Sequence, residues 1–250
     1  MNWHGIFFRF AATYSCIFST GNIFGQLNPQ DSNFYQSALS GTINLYNHSS
    51  GDQSELFNGI LYPGYPFLFK SGSPFFDSSR SDTGTVLYAG ILFSQLPLIY
   101  ENLKDLVIIN DNGYFIQLNN KKLTEFTFAG HHFIHLAENN KAGKNAITGF
   151  YEILYDGNIK VLKKTRKQIE DDLSSDNIVE KFITQSDYYF IQTESNFYEI
   201  KSKKDIHAIF TNKWKEIKLF IRRNQLKIKE DKGNTLVQIT AYYERLRNQL

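Results

Sequence analysis

The stretch from Gly84 to Leu136 does most to limit what this chain can fold into. Its apolar residues fall in short runs: Val86 and Tyr88, then Leu96, Leu98 and Tyr100, then Leu106 and Ile108, then Phe115, Ile116 and Leu118, then Leu123, Phe126 and Phe128, and last Phe133 and Leu136. Turn-forming residues separate the runs at Ala89-Gly90, Glu101-Asn102, Asn110 to Gly113, Asn119-Asn120 and Ala129-Gly130. Runs rich in β-branched and aromatic residues, punctuated in this way, predict an antiparallel meander with one buried face.

The flanking sequence extends the pattern. The 22 Phe and 15 Tyr favour strands, and 250 residues can bury a real core in one large or two small domains. Gly149 to Leu162 reads as a hairpin turning at Asp156-Gly157, and Asn58-Gly59 predicts another between Leu56-Phe57 and Ile60 to Tyr62. Ile178 to Ile183, Tyr188 to Ile191 and Phe197 to Ile200 read as strands, whereas Lys163 to Asp176 is charged enough to read as an exposed stretch. Asn33 to Tyr46 has near-helical spacing, and Ser71 to Thr83 reads as an ordered loop pinned by Pro74-Phe75-Phe76.

From Ser202 the apolar period changes from two to about 3.6. Ser202 and Asp205 predict a capping box ahead of Ile206, Ile209 and Phe210. Asn212 is the expected cap of a second helix with the stripe Trp214, Ile217, Phe220 and Ile221, and Asp231 of a third carrying Leu236, Ile239, Tyr243 and Leu246. Helices this short must pack on each other and on the sheet to be stable. The expected fold is therefore α+β: an antiparallel, curled β-meander of roughly eight to eleven strands with a C-terminal three-helix cap. Its expected divisions are an N-terminal helix, hairpin and loop over residues 27–83, the sheet over 84–201, and a basic helical subdomain over 202–250.

Residues 1–26 carry the marks of an export signal. His4 and Arg9 begin it, an apolar small-residue stretch follows to Phe24, and Gly25-Gln26 offers a cleavage point. The stretch is too short and too diluted by polar residues to span a membrane, so no transmembrane span is expected in the mature chain. Cys16, the single cysteine, is a lipidation point only in a signal that usually carries Leu where Thr13 stands. Cleavage after residue 25 or 26 leaves a chain with no thiol and no disulfide, which suits an exported protein of the periplasm, outer membrane or exterior.

No residue set supplies a recognisable catalytic centre. His131 and His135 would share a helical face, as in a zinc motif, but His132 occupies the place of that motif's Glu. On a strand the two lie on one face about 13 Å apart, too far to share one ion without a ligand from another strand. The adjacent acids Glu170-Asp171-Asp172 read as a solvated surface, not as carboxyls across a cleft. Nucleophile elbows and phosphate-cradling glycine loops are absent from the sequence. No cofactor is expected. The last 50 residues differ electrostatically from the rest, with 13 Lys and Arg against 5 Asp and Glu, while the whole chain carries only +2. Lys203, Lys204, Lys213, Lys215, Arg222 and Arg223, interleaved with Phe210, Trp214 and Phe220, are candidates for contact with polyanions or a membrane surface. The alternative is a solvated face on packed amphipathic helices.

Several segments together resemble a family of small exported bacterial β-rich proteins without an assigned activity. They are Leu56 to Gly59, Gly72 to Phe76, Gly84 to Gly90, Leu96 to Tyr100, Gly130 to Phe133, Gly149 to Gly157, Tyr198 to Lys204 and Phe220 to Asn224. The resemblance implies export and a β-rich architecture and carries over no catalytic residues. The expected function is a non-enzymatic binding or structural module of the cell envelope. The alternatives are a hydrolase whose acids or histidines converge only in the fold, and a polyanion or membrane-surface binder. Nucleic acid is not an expected partner of an exported chain.

Overall fold

The punctuated runs become eleven strands in a computed structural model that describes residues 55–77, 81–136, 148–194 and 196–248. The signal stretch, Cys16 and the helical spacing of Asn33 to Tyr46 lie outside the described residues. The strands are β1 (Ile60–Leu61), β2 (Asp82–Tyr88), β3 (Ile91–Glu101), β4 (Leu106–Asp111), β5 (Tyr114–Gln117), β6 (Leu123–Phe128), β7 (His131–Leu136), β8 (Gly149–Asp156), β9 (Lys160–Leu173), β10 (Val179–Gln192) and β11 (Phe197–Glu199). Three helices follow: α1 (Lys203–Ile209), α2 (Trp214–Arg223) and α3 (Lys232–Asn248).

All strands join one antiparallel sheet in the order β1-β5-β4-β3-β2-β6-β7-β8-β9-β10-β11. The sheet grows in two directions from β2. One meander runs outward through β3, β4 and β5; the chain then returns, and β6 pairs on the other side of β2. Three turns are those the dipeptides predicted. Ala89-Gly90, Asn112-Gly113 and Ala129-Gly130 all have positive φ at both residues, the two-residue geometry whose twist matches the flanking strands. Gly84 is required for a different reason, since a Cβ there would lie 2.1 Å from the Thr127 carbonyl oxygen.

Four expectations are corrected. Asn58-Gly59 does not close a hairpin: Glu55–Phe57 is a 3-10 turn, and Ile60 and Leu61 pair with β5. The β8–β9 connection is three residues, Gly157 to Ile159, because Asp156 pairs with Lys160. The charged stretch after Lys163 forms most of β9, laddered to β10 along the full length of both strands; Lys164 in it is buried, while the positions from Gln168 on are exposed as expected. Asn212 lies in a 3-10 turn, Thr211–Lys213, and α2 starts without a side-chain cap.

The C-terminal helices follow their stripes. Ser202 and Asp205 form the capping box of α1, and the Asn234 N–H donates to the Asp231 carboxylate at the start of α3. Ile206, Phe210, Ile217, Ile221, Leu236, Ile239 and Tyr243 pack with Val161 and Ile191 of the sheet. Glu244 of α3 pins this cap to the β8–β9 turn by accepting from the Tyr155 hydroxyl and the Ile159 N–H, both at 2.7 Å. A second cluster is built almost wholly from the sheet: Tyr100, Phe126, Phe128, Phe133 and Phe150, with Val86, Leu98 and Ile109, are all buried together.

Candidate functional site

Alternation along β7 sets His131, Phe133 and His135 on one face and His132 on the other, as the strand reading requires. An acid partner for His131 comes from the next strand. Glu152 pairs with Phe133 in the β7–β8 register, and its Oε1 lies 2.6 Å from His131 Nδ1. Nδ1–H donates to this buried carboxylate, leaving Nε2 as the second ring nitrogen. The charges continue across the sheet: Lys163 lies 3.6 Å from Glu152 Oε2 and 3.6 Å from Asp187, which accepts from the Thr165 hydroxyl at 2.7 Å. Glu152 Oε2 accepts no hydrogen bond. Phe76 meets the His131 ring edge-on at 5.0 Å.

His135 does not share that acid. Its ring packs on Phe150 at 4.9 Å, and burial holds its pKa below the usual imidazole value of 6.5. His132 pairs instead with Glu125, at 3.1 Å. The structure thus separates the three histidines into different environments, and no group of three or more His, Cys, Asp or Glu with metal-holding geometry occurs among the described residues.

A different constellation, unmarked by any motif, lies at the β3–β4 turn. Asp105 accepts from the Tyr100 hydroxyl at 2.7 Å, the Phe150 N–H at 3.1 Å and Lys164 Nζ at 2.6 Å. Lys164 is 4 % exposed and also donates to the Phe150 carbonyl oxygen. Burial depresses its pKa from the ordinary lysine value, against the opposing pull of Asp105. Glu101, buried beside this turn, has its pKa raised by desolvation, although the Lys104 N–H donates to it at 2.9 Å. The polar seam and this turn are built by residues far apart in the chain, so only strand parity around Glu152 and Lys164 could have pointed to them.

The basic candidates are placed on the helical cap. Lys203, Lys204, Lys215, Arg222 and Arg223 are exposed and Lys213 half-buried. Lys215, Lys218 and Arg222 share the side of α2 away from buried Ile217 and Ile221. Lys203 stands over the Trp214 ring at 6.0 Å. None of these enters an ion pair among the described residues; in the same cap Lys201 pairs with Glu199 and Lys227 with Glu230. Beside α1, a groove of about 630 Å³ is lined by Lys201, Lys203, Lys227, Lys229 and Lys232, with Glu230 as its only acid.

No helix among the described residues is long and apolar enough to cross a membrane. Comparison with protein-family models, with curated proteins and with solved structures finds no match to this chain, so the resemblance to exported bacterial β-rich proteins rests on its sequence segments.

Proposed function

We propose that the chain is an exported, non-enzymatic binding or structural module of the cell envelope, built on a sheet that curls around its own aromatic core. The observation that carries this reading is the interior itself. Tyr100 of β3 and Phe133 of β7 have ring centroids 5.0 Å apart, and Tyr100 and Phe150 of β8 6.0 Å. Strands β2 and β6 lie between β3 and β7, which in a flat sheet would hold those backbones about 14 Å apart. Curling toward this face brings the rings together into one packed aromatic interior. The hydrolase alternative needs acids or histidines to converge in an open cleft; here His131 meets Glu152 and His132 meets Glu125, each singly, while His135 packs on Phe150.

Export rests on the composition of residues 1–26. Cell fractionation with mass spectrometry of the mature N-terminus tests it. Recovery from the envelope of a chain starting at residue 26 or 27 supports the reading; a cytosolic chain retaining Met1 overturns it.

A second reading, contact with an anionic surface, is favoured by the lysine-lined groove and the unpaired cations of α2. Co-sedimentation with phosphatidylglycerol vesicles, falling steeply between 50 and 300 mM salt and absent with phosphatidylcholine, is the expected result.

A further inference from the structure

The turn joining β3 to β4 lies against β9 and encloses a cleft of about 320 Å³, lined by Asn102, Lys104, Asp105, Lys164, Arg166 and Lys167 among others. Its charge is unbalanced. Lys164 and Asp105 offset each other, and Asp105 is further occupied by Tyr100 and Phe150. Lys104, Arg166 and Lys167 remain, and none forms an ion pair among the described residues. Lys104 lies over the Tyr65 ring, Arg166 over Tyr188, and Lys167 donates to the carbonyl oxygens of Ser73 and Phe75. The acids Glu101, Asp187 and Asp77 act on Lys167 only from longer range.

Asn102 supplies an independent observation. It lines the same cleft, is 4 % exposed, and neither its amide nitrogen nor its amide oxygen has a hydrogen-bond partner. Buried amides are rarely left with both a donor and an acceptor unused. Thr148, Thr165 and Gln168 add neutral polar groups to the lining.

We propose that this cleft binds a small anion carrying a carboxylate or phosphate group next to a hydroxyl or amide. The oxyanion meets Arg166, whose planar fork matches two oxygens, and Lys104. The neighbouring hydroxyl or amide meets Asn102, which both donates and accepts. Lys164 is a positioning residue: it holds the Asp105 carboxylate, while Lys104 and Lys167 feel Glu101 without a direct ion pair among the described residues. The site is separate from the basic helical cap.

Titration calorimetry on the full chain at low ionic strength tests the proposal, with glycolate, acetate and inorganic phosphate as probes. Binding of glycolate or phosphate at millimolar concentration or tighter is expected, weakened at least tenfold in Arg166→Gln and in Lys104→Gln. Glycolate binding without phosphate binding assigns a carboxylate ligand, and the reverse a phosphate ligand. Asn102→Leu is expected to erase any preference for glycolate over acetate. Arg166 and Lys104 are not core residues, so an unchanged melting temperature in those two variants keeps the test independent of folding. The proposal is overturned if neither glycolate nor phosphate binds, if Arg166→Gln leaves binding unchanged, or if Lys227→Gln with Lys229→Gln in the helical cap abolishes it equally.

Discussion

Strand β9 and helix α2 are both rich in lysine and arginine, and the fold treats them in opposite ways. In β9 the proximal lysines are cross-links: Lys160 to Asp156, Lys163 to Glu152 and Asp187, Lys164 to Asp105, and Lys167 to the carbonyls of Ser73 and Phe75. In α2 the stripe Ile217 and Ile221 holds the helix down, while Lys215, Lys218, Arg222 and Arg223 stay in water. Charge density alone therefore says little about burial. A cation enclosed with its partner has no cheap alternative when that partner is lost, whereas a solvated one loses little.

The largest test of that contrast is Lys164→Met. It removes the partner of Asp105 while leaving most of the lysine's apolar stem. A loss of about 3 kcal/mol is expected, at the low end for breaking a buried pair because Asp105 keeps 25 % of its side chain exposed. Urea denaturation measures it, with Lys215→Met as the reference. A loss under about 1 kcal/mol would mean that Asp105 finds water instead and that β9 is no more cross-linked than α2. Tyr100→Phe probes the same carboxylate from the other side. Losing a hydrogen bond to a charged group is expected to cost about 2 kcal/mol, and a double variant with Lys164→Met should fall short of the sum, since both act through Asp105.

What was legible in the sequence follows the same division between local and distant causes. The turns at Ala89-Gly90, Asn112-Gly113 and Ala129-Gly130 are local chemistry, and so is the capping box of Ser202 and Asp205. Asn212 had the right side chain but not the right backbone, since it lies inside the 3-10 turn Thr211–Lys213 that follows α1. The part of β9 beyond Leu162 was hidden because Lys163 and Lys164, on opposite faces of the strand, find their partners Glu152 and Asp105 elsewhere in the chain. The return of β6 to β2 had no local signal at all: the turn at Asn119-Asn120 fits either pairing, and the choice is made by packing Phe126 beside Phe133 and Tyr100. The candidate sites divide likewise. The basic residues of the cap could be read off a helix, but Asn102, Lys164 and Arg166 meet only when β3 reaches β9.

The pH axis adds a further probe of the region around Asp105, where His135 and Glu101 are partly or fully buried. The pKa of His135 is lowered in the folded chain by burial. The unfolded chain thus takes up a proton first as pH falls through about 6.5, the ordinary value. The stability linked to this residue is complete above that pH and is lost below it. Glu101 works with the opposite sign, since its raised pKa favours the folded state at low pH and that contribution is lost as pH rises through the folded value. His135→Phe, which keeps a ring against Phe150, should flatten the decline in stability between pH 7 and 5. An unchanged slope would place the acid sensitivity elsewhere.

The smallest expected effect on stability is on the other side of the comparison. Replacing Lys215, Lys218 and Arg222 together by Gln should change unfolding free energy by no more than about 0.5 kcal/mol, because these side chains are exposed and their helix is held by Ile217 and Ile221. If the cap meets an anionic surface, the same triple variant should lose most of its binding to phosphatidylglycerol vesicles and show a shallower salt dependence. Stability and binding would then separate cleanly in α2, whereas at Lys164 of β9 the charge cannot be removed without disturbing the fold. A triple variant that unfolds would break the contrast, since it would show that these cations hold the helix to the sheet.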